Sequence, residues 1–266
     1  MSEVIVITSG KGGEGKTTST ANLGAGLAKL NYNVVLVDTD IGLRNLDIVM
    51  GLENRIVYDL IDYFEGRCKL RQALIKDKRL NNLFLLPAAQ TRDKTAINAE
   101  QMKKLCSELK EQFDYVLIDC PAGIEQGFKN AVAGADRAII ITTPEVSAVR
   151  DADRVIGLLE EMNLPRPKLI INRIKPAMVE RGEMMNVKDI LDILGIDLLG
   201  VVPEDENIVI TTNRGDLVIL KEGSEAGKAY SNIAKRLTGE EVPFLQLKTK
   251  YSFRESLKRI IGIRNN

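Results

Sequence analysis

The chain has 266 residues, 44% of them hydrophobic, with 37 basic and 37 acidic side chains and no histidine. That length and apolar content suit one large α/β domain with a buried core. Zero net charge supplies no global field toward nucleic acid or membrane, and the missing imidazoles exclude histidine metal sites, Ser-His triads and histidine general bases.

In chain order, residues 4–8 read as a strand, 17–30 as a helix, and 34–38 and 83–87 as strands. A helical pattern at 99–113 precedes a strand at 115–119 and another at 138–142. Residues 149–162 read as a helix, 169–172 as a strand, 187–194 as a helix and 198–202 as a strand. Several strands are apolar and β-branched at consecutive positions, as expected when both faces are covered. Such alternation predicts a doubly wound, mostly parallel sheet with helices on both faces. No apolar run approaches the roughly 18 to 20 residues of a membrane span, and no leader precedes the first strand. Cys68, Cys106 and Cys120 are widely spaced and never form a C-x-x-C pair, so they read as packing residues in a reducing cytosol.

Ligands of open parallel sheets sit at the carboxyl ends of the strands, and the polar motifs fall there. After the first strand, Gly10-Lys11-Gly12-Gly13-Glu14-Gly15-Lys16-Thr17 matches G-x-x-x-x-G-K-[ST] at a helix start. The glycines let backbone N–H groups converge on phosphate oxygens, aided by the helix dipole. Lys16 is placed to neutralise β- and γ-phosphates, and Thr17 to offer a hydroxyl to Mg²⁺. Asp119, closing an apolar strand, reads as a second magnesium partner, with Pro121, Ala122 and Gly123 forming a phosphate-sensing loop after it. Asp38 and Asp40 are further candidates. Without histidine, a carboxylate is the group left to orient or deprotonate water.

The loop at residues 11–18 (KGGEGKTT), with its additional lysine at Lys11, resembles the deviant Walker A, or ParA–MinD, family of P-loop ATPases. The stretches 40–47 (DIGLRNLD), 51–59 (GLENRIVYD), 72–77 (QALIKD), 119–125 (DCPAGIE), 143–154 (TPEVSAVRDADR), 202–205 (VPED) and 226–230 (AGKAY) resemble its septum-placing members. The resemblance covers essentially the whole chain. It implies a slow, partner-stimulated ATPase that uses ATP/ADP and Mg²⁺ and dimerises around ATP, with Lys11 reaching the partner's phosphates. It implies that Lys11, Lys16 and Asp40 act in catalysis, and that Thr17, Asp38 and Asp119 serve the metal. Residues Gly10 to Thr18, including Thr18 itself, would hold the phosphates, with Asn172, Arg173 and Pro203 at the adenine. It also implies a MinC-like division inhibitor and a MinE-like or other activating partner. Glu14 departs from the pattern, which usually has valine there. Turned away from the phosphates the carboxylate is harmless; turned toward them it repels the ligand by roughly 1 to 4 kcal/mol.

The domain is expected to span residues 1–245, followed by a tether and terminal helix at 246–266. On a helical projection Phe253, Leu257, Ile260 and Ile261 share an apolar arc flanked by Arg254, Lys258 and Arg259. Residues 251–266 carry four basic and one acidic side chain, a balance of +3. This is the composition of a basic helix lying on anionic lipid, so the expected location is cytoplasmic and the inner face of the cell membrane. A flagellar-number regulator usually has an extension before the first strand. A chromosome-partition ATPase needs a basic surface, and an iron–sulfur relative needs paired cysteines. A nucleotide-binding adaptor with little turnover is the alternative that Glu14 keeps open.

Overall fold

The structure is a computed structural model that describes residues 2–90 and 97–245. The chain runs through β1 (Glu3–Thr8), α1 (Lys16–Lys29), β2 (Val34–Asp38), α2 (Leu46–Met50), α3 (Leu60–Phe64), α4 (Leu70–Ala73), β3 (Ile75–Lys76) and β4 (Leu83–Leu86). It continues through α5 (Ala99–Lys110), β5 (Tyr115–Asp119), α6 (Gln126–Val132), β6 (Arg137–Thr142) and α7 (Val146–Glu161). The remaining elements are β7 (Lys168–Ile174), α8 (Pro176–Glu180), α9 (Val187–Leu194), β8 (Leu198–Pro203), α10 (Glu206–Thr212) and α11 (Glu225–Leu237).

The eight strands form one sheet in the order β3-β4-β2-β5-β1-β6-β7-β8. Only β3 is antiparallel, pairing with β4 through Ile75 and Lys76. β1, at the centre, shows how the sequence builds two cores. Val4 and Val6 face one layer with Leu105 and Leu109 of α5, Phe128 of α6, Val155 of α7 and Ile190 of α9. Ile5 and Ile7 face the other, with Leu23 and Leu27 of α1, Met50 of α2 and Tyr230 and Ile233 of α11. Alternation along each strand supplies both faces, which is why the runs are continuously apolar.

The expected strands are all present, within two residues at each end. Two helices differ more. α7 begins at Val146, ahead of the expected 149, because its first turn (Val146 and Ser147) is exposed and gives no inward periodic signal. α5 stops at Lys110 rather than 113, and Phe113 instead packs edge-on against Phe84, ring centres 5.4 Å apart. Cys106 and Cys120 are buried, Cys68 is half-buried, and all three are free thiols. No described helix is long and apolar enough to cross a membrane. The tail expected at 246–266, with Phe253, Leu257, Ile260 and Ile261, lies outside the described residues.

Candidate phosphate-binding site

The loop from Ser9 to Gly15 leaves the carboxyl end of β1 and ends as the start of α1. Gly13 and Gly15 take left-handed backbone conformations, φ 83° and 97°, which L side chains rarely adopt. At Gly15 a Cβ would also stand 2.3 Å from the Asn172 side-chain nitrogen. No side chain caps the first turn of α1, so its amides remain available to an anion. Asn172, at the end of β7, donates to the Glu14 carbonyl over 2.8 Å and accepts from the Arg173 amide, bracing the loop from below.

Lys16 opens α1 and is only 7% exposed. Its ammonium donates to Ser9 Oγ at 2.9 Å and to the Lys11 carbonyl at 3.4 Å. Lys11 points outward, donating to Ser147 Oγ of α7 at 3.0 Å. Gly10 lies against Asp151 of α7, and Gly12 lies near Ala122 of the loop after β5. The phosphate-sensing loop expected there therefore borders the glycine loop.

Behind the loop, β2 and β5 end side by side, with Asp38 paired in register with Asp119. Both carboxyls are buried. Asp119 Oδ1 accepts from the Thr20 hydroxyl at 3.2 Å, and its main-chain oxygen accepts from Thr39. Asp38 accepts the amides of Asp40 and Leu46 at 2.9 and 3.2 Å, so it shapes the loop that presents half-buried Asp40. Burial, and then the Asp119 charge, hold Asp38 well above the usual carboxylate range. Burial also raises Asp119, with the Thr17 hydroxyl, Lys16 and Thr20 offsetting part of the rise. Two adjacent carboxyls, both raised chiefly by burial, are a pair that a cation would relieve. No group of three or more His, Cys, Asp or Glu side chains suited to a metal occurs among the described residues.

Glu14 is 2% exposed. Its side chain is turned into the interior beneath the loop, where Ser9 and Lys16 face it, and burial raises its carboxyl above the ordinary range. Of the adenine candidates, Asn172 is buried and Arg173 is exposed in a left-handed conformation, φ 57°. Pro203 pairs with Ile174 where the β7–β8 register shifts.

Sequence reasoning thus brought Lys16, Thr17, Asp38, Asp40 and Asp119 to one edge, and the structure collects them there. It assigned no role to Ser9, Thr20, Thr39, Ser147 or Asp151. Thr20 was within reach of the sequence, since it follows Lys16 by four residues and so shares its helix face. Ser147 and Asp151 reach the loop across more than 130 residues and left no local signal.

Comparison with known proteins agrees with this geometry. Residues 5–218 match the CobQ/CobB/MinD/ParA nucleotide binding domain. The chain is 56% identical over 268 residues to the septum site-determining protein MinD of Bacillus subtilis, covering 100% of both. It is similar to a chain of the MinC:MinD cell division protein complex of Aquifex aeolicus, 52% identical with a TM-score of 0.86, over 92% of this chain and 99% of that one. It is also similar to MinD of Pyrococcus horikoshii complexed with Mg-ADP, 30% identical with a TM-score of 0.81, over 89% of this chain and 96% of that one. The chain belongs to the CobQ/CobB/MinD/ParA nucleotide-binding family and, within it, to the septum site-determining MinD ATPases.

Proposed function

We propose that this chain is an ATP-operated membrane switch that brings a MinC-like division inhibitor to the inner face of the cell membrane. The observation that carries the reading is the buried Lys16 ammonium at the mouth of a left-handed glycine loop, with the Asp38–Asp119 pair behind it. Residues Gly10 to Thr18 wrap the phosphates, and Lys16 turns from Ser9 toward the β- and γ-oxygens. Thr17 and Asp119 would hold Mg²⁺, which would supply charge neutralisation at the β- and γ-phosphates, while Asp38 fixes the loop carrying Asp40. Asp40 would orient the attacking water; a bond from the water oxygen to the γ-phosphorus forms as the bond to the leaving ADP oxygen breaks, and the water's proton passes to solvent, giving ADP and phosphate. Arg173 and Pro203 flank the adenine, and Asn172 keeps the loop at the right height for it.

Lys11 is the only lysine of the loop directed outward, which suits a cation supplied to a second subunit. A cation given in trans accelerates phosphoryl transfer by about 10³ to 10⁵ in related chemistry. Residues 1–245 form the switch and 246–266 its membrane tail, inserting Phe253, Leu257, Ile260 and Ile261. One such short helix is a marginal anchor, and two on one dimer gain roughly 10² to 10⁴ in avidity. ATP-driven dimerisation therefore turns membrane binding on. Hydrolysis, stimulated by a MinE-like or other partner, turns it off. The solved MinC:MinD complex of the Aquifex relative supports the inhibitor as a partner.

The test is sedimentation with anionic liposomes in ATP, in ADP and without nucleotide. Pelleting with ATP alone, lost on removal of residues 246–266, is the expected result. Equal pelleting in all three conditions would overturn the switch.

A further inference from the structure

Glu14 is the one acidic side chain of the glycine loop, and the mechanism above gives it no task. Its carboxyl is buried, and neither oxygen has a hydrogen-bond partner among the described residues. The nearest hydroxyl, Ser9 Oγ, spends its proton on the Lys11 carbonyl at 2.7 Å. Lys16 bonds that same hydroxyl and that same carbonyl, and its charge acts on the Glu14 carboxyl from beyond ion-pair distance. The charged groups facing Glu14 are Lys16 of α1 and Lys11 of the loop, while Lys16 in turn faces Asp119 of β5 and Cys120 just after it. Asn172, from β7, meets the Glu14 carbonyl rather than its carboxyl. Burial raises the carboxyl, and the charges of the two lysines pull it part of the way back.

The same buried ammonium is thus the cation that acts on an internal carboxyl and the one offered to phosphate oxygens. We propose that Glu14 is a proton-linked positioning residue: when a polyphosphate engages the loop and draws Lys16 to itself, the Glu14 carboxylate takes one proton from solvent. The inference rests on the phosphate-site reading above. Its chemistry is a transfer of H⁺ from buffer to a carboxylate oxygen, with no other bond changed. Two effects drive it together. Lys16 leaves the carboxylate, and a new anion arrives over the same loop, so the charged form loses a partner and gains a repulsion. Protonated Glu14 then releases Lys16 fully to the phosphates.

The sign follows from linkage. Glu14 binds its proton more tightly in the complex than in the free protein, so nucleotide affinity is highest where the carboxyl is protonated in both. Affinity falls as pH rises through the free-state pKa, by up to about tenfold per unit, and levels off above the pKa of the complex. A valine or glutamine at this position has no proton to exchange.

The measurement is calorimetry of Mg-ADP binding to the full chain at several pH values upward from 4.5, each in two buffers of different protonation enthalpy. Wild type, Glu14→Gln and Glu14→Val are compared, with circular dichroism confirming their folds. The expected result is additional proton uptake by wild type, approaching about one per nucleotide within the titration window, together with a steeper loss of affinity as pH rises. Asp38, Asp119 and the nucleotide itself titrate in all three proteins and cancel in the difference. Equal proton uptake and equal pH slopes in wild type and Glu14→Gln would overturn the proposal while leaving the phosphate site intact. No Mg-ADP binding by any of the three folded proteins would overturn the phosphate-site reading, and this proposal with it.

Discussion

The two ends of the same sheet treat charge in opposite ways. At the amino ends of the strands, charged side chains pair in the open: Arg137 with Glu3, Lys110 with Asp136 and Lys168 with Asp197, over 3.0, 2.8 and 2.6 Å. At the carboxyl ends, Glu14, Lys16, Asp38 and Asp119 are all less than a tenth exposed. Exposed pairs contribute about 0 to 1 kcal/mol and are screened by salt. Buried charges lose far more hydration and persist only where something compensates or something is gained. The amino edge is thus organised for solubility and the carboxyl edge for a ligand, although the central stretches of the strands between them are apolar.

The sharpest break in that comparison is predicted at Lys11. Lys11→Ala should lower partner-stimulated phosphate release by about 10³ or more, the scale of a cation supplied in trans. It should also abolish ATP-dependent self-association, read by light scattering with a slowly hydrolysed analogue. Binding to the monomer should change little, because Lys11 in one subunit contacts Ser147 rather than the loop's interior. Normal dimers with normal turnover would remove Lys11 from the site.

A smaller effect is expected at Glu14, in stability rather than catalysis. Its folded-state pKa lies above the unfolded value of 4.5, so the native protein binds more protons there than the unfolded chain. Stability is therefore lost as pH rises from 4.5 through the folded pKa, where the buried carboxyl must charge. Glu14→Val should gain stability relative to wild type as pH rises above 4.5, because valine has no charge to desolvate, and the gain is read as a pH-dependent difference in Tm. A melting difference that is flat with pH would contradict the assignment.

The smallest effect belongs to the amino edge. Lys168→Ala removes one half-exposed partner of Asp197 and should shift stability by less than about 1 kcal/mol, with nucleotide affinity unchanged. A large loss there would erase the distinction between the two ends.

Much of the frame was legible because its signals are local. Consecutive β-branched residues marked β1, β2, β5 and β6, and eight residues of loop marked the phosphate site in its strand-to-helix setting. What escaped depends on contacts across the chain or on very short elements. β3 has two residues and no periodicity to read. α3 has five, yet its capping box of Asp59 and Asp62 was present in the sequence as a start signal. Whether Glu14 turned inward or outward depended on the left-handed turn at Gly15 and on the Asn172 brace, 158 residues away. No window of the sequence contains that pair. The apolar arc at Phe253, Leu257, Ile260 and Ile261 was read from spacing alone and remains a proposal about residues 246–266.

The central claim, that the buried charges of the carboxyl edge exist to hold a magnesium nucleotide, is tested most directly at Lys16. Calorimetry of Mg-ATP should show binding to wild type and a loss of about 30-fold or more in Lys16→Ala, the scale of truncating one partner of a desolvated charge pair. The variant should keep its circular dichroism spectrum, since both cores are built without Lys16. Unchanged Mg-ATP affinity in a folded Lys16→Ala protein would contradict the account.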